Sequence, residues 1–450
     1  MYNNFKGMKG LGHLLKRLLP LWLFKRLLFC FHQWRAIVAV PKSWCAMRRV
    51  DKSIATLRQG CRPIRFGFYV VLESMFQMRH VFELMLNDSR FDPFIVVTPR
   101  LGWQRGDMEE TIEKTYGSLV ADYGSKRVFR GFHDGVFENY MNECDACAMM
   151  NLYSGLAEYH FETEHFARCG IPIFGSCYFY DQGTVHSPEY YGMSSLKYVR
   201  RFFCVNDAEK EKFIRYQHVK SDTDRLVVVG CAKSDAIRFN ESFNLGPRKT
   251  ILIAPHHSII PSVDSGICIG NFFKYKDFLL SLPAKYPQIN WIFRPHPHLK
   301  LRLTKDVGWN MEQWEEYVRE FESHPNAVYE AGGSYYNSFE RSDAIIQDCG
   351  SFLPEYFYTG KPQCYMLESE KAKREQFDEW GLELLSHTYQ AFSESDIKRF
   401  IDDVVIDGKD GMKEARHKFA KERVMVNYPH ASAAIVESIA EMFGRGKGRD

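Results

Sequence analysis

The 450-residue sequence contains none of the glycine-centred motifs that mark the commonest nucleotide and ester chemistries. A G-x-x-x-x-G-K-S/T loop, a G-x-G-x-x-G fingerprint and a G-x-S-x-G elbow are all absent from it. Their absence argues against P-loop phosphate transfer, simple NAD chemistry and serine hydrolysis. The sequence also has no internal repeat, low-complexity tract or coiled-coil heptads.

Paired cysteines are scarce, although the chain has 12 cysteines in all. Cys144 and Cys147 form a C-x-x-C pair, and no second pair completes a zinc site. The pair lies in the apolar run CDACAMM, which favours buried thiols on a strand. Scattered cysteines are typical of a reducing compartment.

Charge is unevenly distributed, although the formal net charge is only +3. Residues 1–60 carry 12 Lys and Arg and one acid, whereas the rest of the chain carries 47 basic and 55 acidic residues. The basic excess lies in a segment rich in Leu, Trp and Phe, and the body is acidic. This distribution disfavours nucleic-acid binding.

The basic leader has an amphipathic segment at residues 11–40. Its uncharged runs, Leu18–Phe24 and Leu27–Trp34, are shorter than the roughly 20 residues needed to cross a bilayer. Two Lys-Arg pairs interrupt the apolar stretch, unlike in a cleaved signal peptide. We predict an element that lies in the interface of an anionic membrane, kinked or divided at Pro20. The alternative is a helix packed on the body or on a second subunit.

From Cys61 onward, short apolar runs alternate with amphipathic stretches, which predicts an α/β fold with largely parallel sheets. A polar segment at 240–249 is predicted to link two similar Rossmann-like domains that face a cleft, where the carboxyl ends of the strands would hold ligands. The predicted units are a leader at 1–60, domains at 61–240 and 241–412, and a helical segment at 413–450. Predicted strands lie at 64–72, 94–98, 146–151, 171–180, 201–205, 226–229, 250–254, 290–293, 344–347 and 363–367.

The motif RPHPH, residues 294–298, follows a predicted strand. Its prolines restrict the backbone, so Arg294 and His296 would be held where the strand ends. Arginine binds phosphate through a rigid fork of donors, and histidine can donate to phosphate or move a proton. A metal site at His296 and His298 is disfavoured because no carboxylate or cysteine stands nearby, so no metal is predicted. A rigid loop with exposed histidines is the alternative.

A tight turn follows the predicted strand 344–347. It contains Asp348, Cys349 and Gly350, and Ser351 suits the N-cap of a short helix. A helix start at the cleft would offer backbone N–H groups to an anion. An ordinary strand-to-helix turn is the alternative.

Two further segments carry polar residues after predicted strands. His256 and His257 follow strand 250–254, and since adjacent side chains face different ways, one is expected to face the cleft and the other to pack or meet solvent. The run Asp181-Gln182-Gly183-Thr184 follows a first-half strand and is expected to face the other segments across the cleft. Asp181 is a candidate base and Thr184 a hydroxyl donor; turn chemistry is the alternative.

The order of these motifs resembles the CDP-glycerol glycerophosphotransferase family, the teichoic-acid primases and polymerases and their capsule-synthesis relatives. The resemblance covers residues 140–370 and rests on A-P, R-P-H-P and S-D-x-x-I-x-D-x-x-S before a short helix. It implies a GT-B fold, a CDP-activated alditol donor with no further certain cofactor, and a lipid-linked acceptor. It also implies peripheral attachment at the cytoplasmic face of the cell membrane.

Site roles follow from the resemblance residue by residue. Arg294 and His296 would hold the donor pyrophosphate, and Gln182 to Thr184 would lie on the acceptor side. Gln182 stands where the family has a histidine proposed as the base, which leaves His256, slightly ahead of Asp181 and His257, for that role. The remaining donor-pocket residues would be Ser342, Asp343, Asp348, Cys349, Gly350 and Ser351.

The resemblance therefore predicts that an acceptor hydroxyl attacks the β-phosphate of a CDP-activated alcohol and that CMP leaves. One alternative is a GT-B glycosyltransferase that uses a nucleotide sugar for capsule or lipopolysaccharide synthesis. Another is a non-catalytic, membrane-attached scaffold with the same fold, and a homo-oligomer is left open.

Overall fold

The computed structural model of the protein describes residues 20–100, 105–178, 180–184, 186–217, 223–239, 248–260, 267–332 and 334–446. Within the leader, residues 11–19 lie outside the described residues. Most of the predicted linker, residues 240–247, lies outside them as well.

The strands are short and fall into two series, one on each side of the linker. The first series, in chain order, is β1 (Ile64–Val70), β2 (Phe91–Val97), β3 (Val128–Arg130), β4 (Phe132–His133), β5 (Val136–Phe137), β6 (Ala146–Met149), β7 (Ile173–Ser176), β8 (Arg201–Cys204) and β9 (Leu226–Val228). The second is β10 (Thr250–Ala254), β11 (Asn290–Phe293), β12 (Ala327–Tyr329), β13 (Ala344–Gln347), β14 (Gln363–Met366) and β15 (Tyr389–Ala391).

Each series builds one parallel sheet. The first sheet has the order β3-β2-β1-β6-β7-β8-β9, and the second has the order β12-β11-β10-β13-β14-β15; β4 and β5 form a separate antiparallel hairpin. In both sheets the chain moves outward for two strands and then returns to the other side of the first strand. This reversal creates a switch point between β1 and β6, and another between β10 and β13, where ligands bind in such sheets.

The described helices cover the sheets and connect the strands. In chain order they are α1 (Leu21–Gln59), α2 (Arg79–Leu86), α3 (Arg105–Tyr123), α4 (Thr163–Arg168), α5 (His186–Tyr191), α6 (Asp207–Tyr216), α7 (Phe272–Lys285), α8 (Leu299–Asp306), α9 (Met311–Glu322), α10 (Tyr336–Arg341), α11 (Phe352–Tyr356), α12 (Glu370–Gln376), α13 (Glu379–Ser386), α14 (Glu394–Arg399), α15 (Lys413–Phe419) and α16 (Ala431–Met442). Because helices cover the parallel strands, the strands read as nearly continuous apolar runs.

Helix α1 is 39 residues long and begins directly after Pro20, with Pro41 in its interior. Pro20, where the leader was predicted to be kinked or divided, immediately precedes this helix. Its C-terminal part packs on the first half, since Ala46, Val50 and Ile54 belong to that core. Its N-terminal part exposes Trp34, Ile37 and Trp44 by 60%, 56% and 57%. In the part of the chain that is described, no helix is long and apolar enough to span a bilayer.

Helix α16 returns to the first half after the second sheet is complete. Ile435, Ile439 and Phe443 lie in the core of the first half, and the Arg58 guanidinium of α1 donates to the carbonyl oxygen of Met442 at 2.8 Å. The segment before it, with Phe419 and Val424, packs instead on the second half. The chain therefore passes between the halves twice.

Most predicted strands are confirmed, and those at 250–254, 290–293 and 344–347 have the predicted bounds. The strand predicted at 171–180 is shorter, because the chain leaves the sheet after Ser176. The sequence missed β3, β4, β5, β12 and β15, which have two or three residues each and partly exposed side chains.

Candidate functional site

Three loops meet at the switch point of the second sheet, after β10, β11 and β13. Two backbone hydrogen bonds join the first two loops: Arg294 N–H donates to the Ile253 carbonyl at 2.8 Å, and His296 N–H donates to the Pro255 carbonyl at 2.9 Å. These bonds continue the pairing of β10 and β11 beyond the strand ends. The histidines of both loops are therefore brought to the same edge of the sheet.

A histidine cluster forms here from His256, His257, His296 and His298. The ring centroid of His257 lies 4.2 Å from that of His256 and 4.1 Å from that of His296. His298 completes the cluster, 5.3 Å from His296. The prediction that one of the adjacent histidines turns away is wrong, because the backbone past Ala254 is no longer an extended strand and side chains do not alternate there.

The cluster is only partly accessible, and this sets its charge. Burial lowers the pKa of His257 to about 4 and that of His296 to about 3, and the charge of the neighbouring imidazoles acts in the same direction. Burial also lowers the pKa of His256. The rings are therefore neutral at pH 7 when nothing is bound.

Asp348 holds the histidine loop in place. It is fully buried, and its two carboxylate oxygens accept the backbone N–H groups of His256, at 2.6 Å, and of Asn271. Burial raises the pKa of Asp348 to about 7. Both oxygens are thus engaged within the protein, which makes Asp348 a positioning residue for the histidine loop.

We expect Asp348→Ala to lower the free energy of unfolding by about 2–5 kcal/mol, because it leaves two buried N–H groups without an acceptor. Urea unfolding at pH 7 measures this. Asp277→Ala is the matched control, since the Asp277 side chain is 84% exposed. Equal midpoints for the two variants would contradict the assignment.

Arg294 was predicted to bind phosphate in the cleft, but its guanidinium is paired within the protein. Its Nη1 donates to Glu330 at 2.9 Å and lies 3.3 Å from the Ser338 hydroxyl oxygen. Glu330 is also paired with Arg341. The charge of Arg294 is therefore largely compensated by a residue on the loop after β12, which the local motif could not reveal.

A different arginine, from the first half, acts on the cluster. Burial lowers the pKa of His298, and the charges of Arg100 and Arg302 lower it further. Arg100 follows β2 and so belongs to the carboxyl edge of the first sheet. The charge of Arg100 therefore reaches His298, at one side of the cluster. Sequence reasoning missed Arg100, because it lies in no recognisable motif.

The turn after β13 differs from the predicted anion site. Ser351 holds the predicted N-cap position, but its backbone angles are helical and its side chain makes no capping hydrogen bond. Helix α11 has only five residues, which weakens its dipole. Cys349 is buried, and the carbonyl of Gly350 accepts from the side-chain amide of Gln182.

Ser342 and Asp343 lie at the other end of β13, one strand length away from the histidine cluster. Ser342 is buried and its hydroxyl lies 3.0 Å from that of Tyr356. The Asp343 carboxylate accepts the Thr250 N–H at 2.6 Å, at the start of β10. The structure therefore does not bring these two residues to the predicted donor pocket.

The segment Asp181–Thr184 touches the second half directly. Gln182 donates to Gly350, its carbonyl accepts the Asp378 N–H at 2.9 Å, and Thr184 N–H donates to the Gln376 carbonyl at 3.1 Å. The Asp181 carboxylate accepts from the Ser187 hydroxyl at 2.5 Å and from the Gly183 N–H at 3.2 Å. The segment was expected to face the other loops across the cleft; instead it joins the two halves.

Gln182 lies next to the histidine loop through a short series of contacts. A Cβ at Gly350 would meet the Gln182 amide nitrogen at 3.2 Å and Ile269 at 3.5 Å. The Ile269 N–H in turn donates to the Ser258 hydroxyl, which lies 2.8 Å from His256 Nδ1. Gln182 Oε1 is buried and has no hydrogen-bond partner among the described residues.

A second polar feature between the halves was missed by sequence reasoning. Lys233, after β9, pairs with the buried Glu355 of α11 at 3.2 Å. Its ammonium lies 5.1 Å from the ring centroids of Tyr178 and Tyr335. Glu355 Oε2 is buried with no hydrogen-bond partner in the described part of the chain, so this pair offers one acceptor between aromatic rings.

Glu209 is a buried carboxyl group below the carboxyl edge of the first sheet. Burial raises its pKa from 4.5 to about 7, against the opposing effect of hydrogen bonds from Val205 N–H and the Tyr191 hydroxyl. Because the folded protein takes up this proton more readily than the unfolded chain, stability falls as the pH rises from about 4.5 to about 7.

Glu209→Gln is therefore expected to match the wild type near pH 4.5 and to exceed its stability at pH 7.5, by on the order of 3 kcal/mol. Urea unfolding at both pH values measures the difference. Glu211→Gln on the exposed face of α6 is the control. A pH-independent gain would refute the explanation.

Comparisons with known proteins bear on the fold. No family model and no curated protein matches the chain. Among solved structures, the wall teichoic acid polymerase TagF is 13% identical, with a TM-score of 0.55 over 92% of this chain and 98% of that one. A UDP-GlcNAc 2-epimerase from Neisseria meningitidis, bound to UDP-GlcNAc, is 14% identical, with a TM-score of 0.53 over 84% and 100%. The predicted GT-B-like architecture is confirmed.

Proposed function

We propose that the protein is a transferase that acts on a nucleotide-diphosphate donor, with a CDP-activated alditol as the donor and a lipid-linked glycan or polymer as the acceptor. The observation that carries the proposal is the histidine cluster at the switch point of the second sheet, where the charge of Arg100 of the first half also acts on His298. This is the position at which α/β sheets hold ligands.

The proposed reaction is a phosphodiester transfer. The oxygen of an acceptor hydroxyl attacks the β-phosphorus of the donor, the bond from that phosphorus to the bridging oxygen breaks, and CMP leaves. The acceptor proton passes to the enzyme or to water. Such a transfer depends mainly on positioning and on stabilisation of the developing charge.

The residues at the cluster suit these two tasks. His296 and His257 offer ring nitrogen atoms at the strand ends, and Arg100 supplies positive charge from the opposite half. Arg294 is paired with Glu330, so its contribution is to fix the loop that carries His296. For the proton, the histidine ring nitrogens compete with the Asp181 carboxylate, which already accepts two hydrogen bonds.

Nucleotide release tests the proposal. The full-length protein is incubated with CDP-glycerol, CDP-ribitol and UDP-sugars, each with a lipid extract as the acceptor. CMP release that depends on both donor and acceptor supports the proposal. Release of no nucleotide from any donor, with intact folding by circular dichroism, would leave the scaffold alternative.

A nucleotide-sugar glycosyltransferase is the second candidate. It is favoured by the fold shared with a protein solved with bound UDP-GlcNAc. In that reaction the acceptor attacks a sugar carbon and UDP leaves. The same incubation separates the two candidates, because UDP release from a UDP-sugar and none from CDP-glycerol would select the glycosyltransferase.

We further propose that the protein associates peripherally with the cytoplasmic face of the cell membrane through the N-terminal part of α1. The exposed apolar side chains Trp34, Ile37 and Trp44 occur on the same helix as the exposed Arg26 and Lys42. Apolar residues beside basic ones favour an anionic lipid interface. Such a contact would keep a lipid-linked acceptor close to the cleft.

A further inference from the structure

His256, His257 and His296 bring three ring nitrogen atoms together. Each offers one nitrogen, and these three atoms lie within 4.8 Å of one another. The histidine loops are held from behind, because Asp348 accepts the His256 N–H and the Pro255 carbonyl accepts the His296 N–H. The backbone therefore fixes the two loops that carry the three rings at one place.

A second observation concerns the hydrogen bonds of the ring nitrogen atoms in the cluster. His257 Nδ1 is buried without a hydrogen-bond partner among the described residues, although buried polar atoms are normally paired. His256 Nδ1 lies 2.8 Å from the Ser258 hydroxyl oxygen. His256 Nδ1 also accepts the Ser258 backbone N–H at 3.3 Å, so the ring is held through Nδ1, as ligating histidines are held through the nitrogen that does not bind the metal.

We propose that His256, His257 and His296 form a binding site for a transition-metal ion of the Zn²⁺ class. Imidazole ligands without carboxylate or thiolate suit Zn²⁺, Co²⁺, Ni²⁺ or Cu²⁺ and do not suit Mg²⁺. Metal–nitrogen bonds of about 2.1 Å place tetrahedral ligand atoms about 3.4 Å apart, so small ring rotations close the site. His298 is left out of the ligand set because the three ring nitrogen atoms that lie within 4.8 Å of one another belong to the other three histidines.

Three protein ligands leave a coordination position open, as in catalytic zinc sites. The use of this position rests on the proposed function: it would take the acceptor hydroxyl and lower its pKa, so that its proton passes to water without a histidine base. Gln182, which cannot take a proton, is then compatible with turnover. A metal ion here would also attract the donor diphosphate.

Metal binding is measured first, without substrate. The full-length protein is treated with chelator, dialysed and titrated with Zn²⁺ by calorimetry and with Co²⁺ by visible absorption. We expect one equivalent with a tetrahedral Co²⁺ spectrum, and at least about a 100-fold loss of affinity in His257→Ala and in His296→Ala. His80→Ala, on the exposed face of α2, should bind like the wild type.

Conservative variants guard against a folding defect. His257→Gln and His296→Gln keep a polar side chain of similar size, and circular dichroism checks that they are folded. Folded variants that retain wild-type Zn²⁺ affinity, or a wild type that binds less than one equivalent, would overturn the metal site. Tight binding of Mg²⁺ in place of Zn²⁺ would overturn the proposed class of metal ion.

The metal site and the proposed function fail separately. CMP release is assayed in the chelated protein with and without added Zn²⁺. Full CMP release by metal-free protein overturns the proposed use of the metal ion in the reaction and leaves the transferase. Stoichiometric Zn²⁺ binding without nucleotide release from any donor overturns the transferase and leaves the metal site.

Discussion

His296→Ala is expected to lower the rate of donor-dependent CMP release by about 100-fold or more, the loss typical when a group that stabilises transition-state charge is removed. The ring centroid of His296 lies 4.1 Å from that of His257, 5.2 Å from that of His256 and 5.3 Å from that of His298, so this ring is close to all three others. Its removal therefore disrupts every arrangement in which the four rings act together.

The measurement is steady-state release of CMP from CDP-glycerol with lipid extract as the acceptor. His80→Ala is the matched control and should retain the wild-type rate, because His80 lies on the exposed face of α2. A His296→Ala protein that is folded and releases CMP at a rate within threefold of the wild type would remove the cluster from the reaction.

Trp34→Glu combined with Ile37→Glu is expected to reduce flotation with anionic vesicles by about tenfold. Both side chains are more than half exposed on α1, and charged groups there oppose insertion of the apolar face into the lipid interface. The protein should float with vesicles that contain phosphatidylglycerol and bind less strongly to neutral ones, since the adjacent charges are basic.

The control adds the same charge to the same helix away from the apolar face. Thr56 and Gln59 are exposed in the part of α1 that is anchored to the body, and the Thr56→Glu, Gln59→Glu protein should float like the wild type. If both double variants float like the wild type, the exposed apolar side chains of α1 do not make the membrane contact. If both lose flotation, net charge alone controls it.

Local patterns predicted the second sheet well for a physical reason. Strands β10, β11 and β13 are buried on both faces, so their apolar runs are uninterrupted and end where polar residues begin. The polar residues after each strand were therefore placed correctly at the carboxyl edge. Edge strands such as β15 lack this signal, because their side chains are partly exposed and their sequences contain no uninterrupted apolar run.

The site was predicted less well, because its chemistry depends on contacts between distant segments. The sequence could not show that Glu330, 36 positions after Arg294, compensates that arginine. It could not show that both adjacent histidines join His296, or that Gln182 donates to Gly350. Asp348 was identified as a site residue, but its carboxylate is engaged by backbone N–H groups, which only the fold reveals.

The double passage of the chain between the halves has a consequence for how they separate. Helix α16 is embedded in the first half, next to the last turn of α1, while the segment with Phe419 and Val424 is embedded in the second. The second half is thus an insertion tethered at both of its ends. A single proteolytic cut within 240–249 would leave the halves covalently joined through the connection at 425–430, and hinge motion at the cleft requires both tethers to bend together.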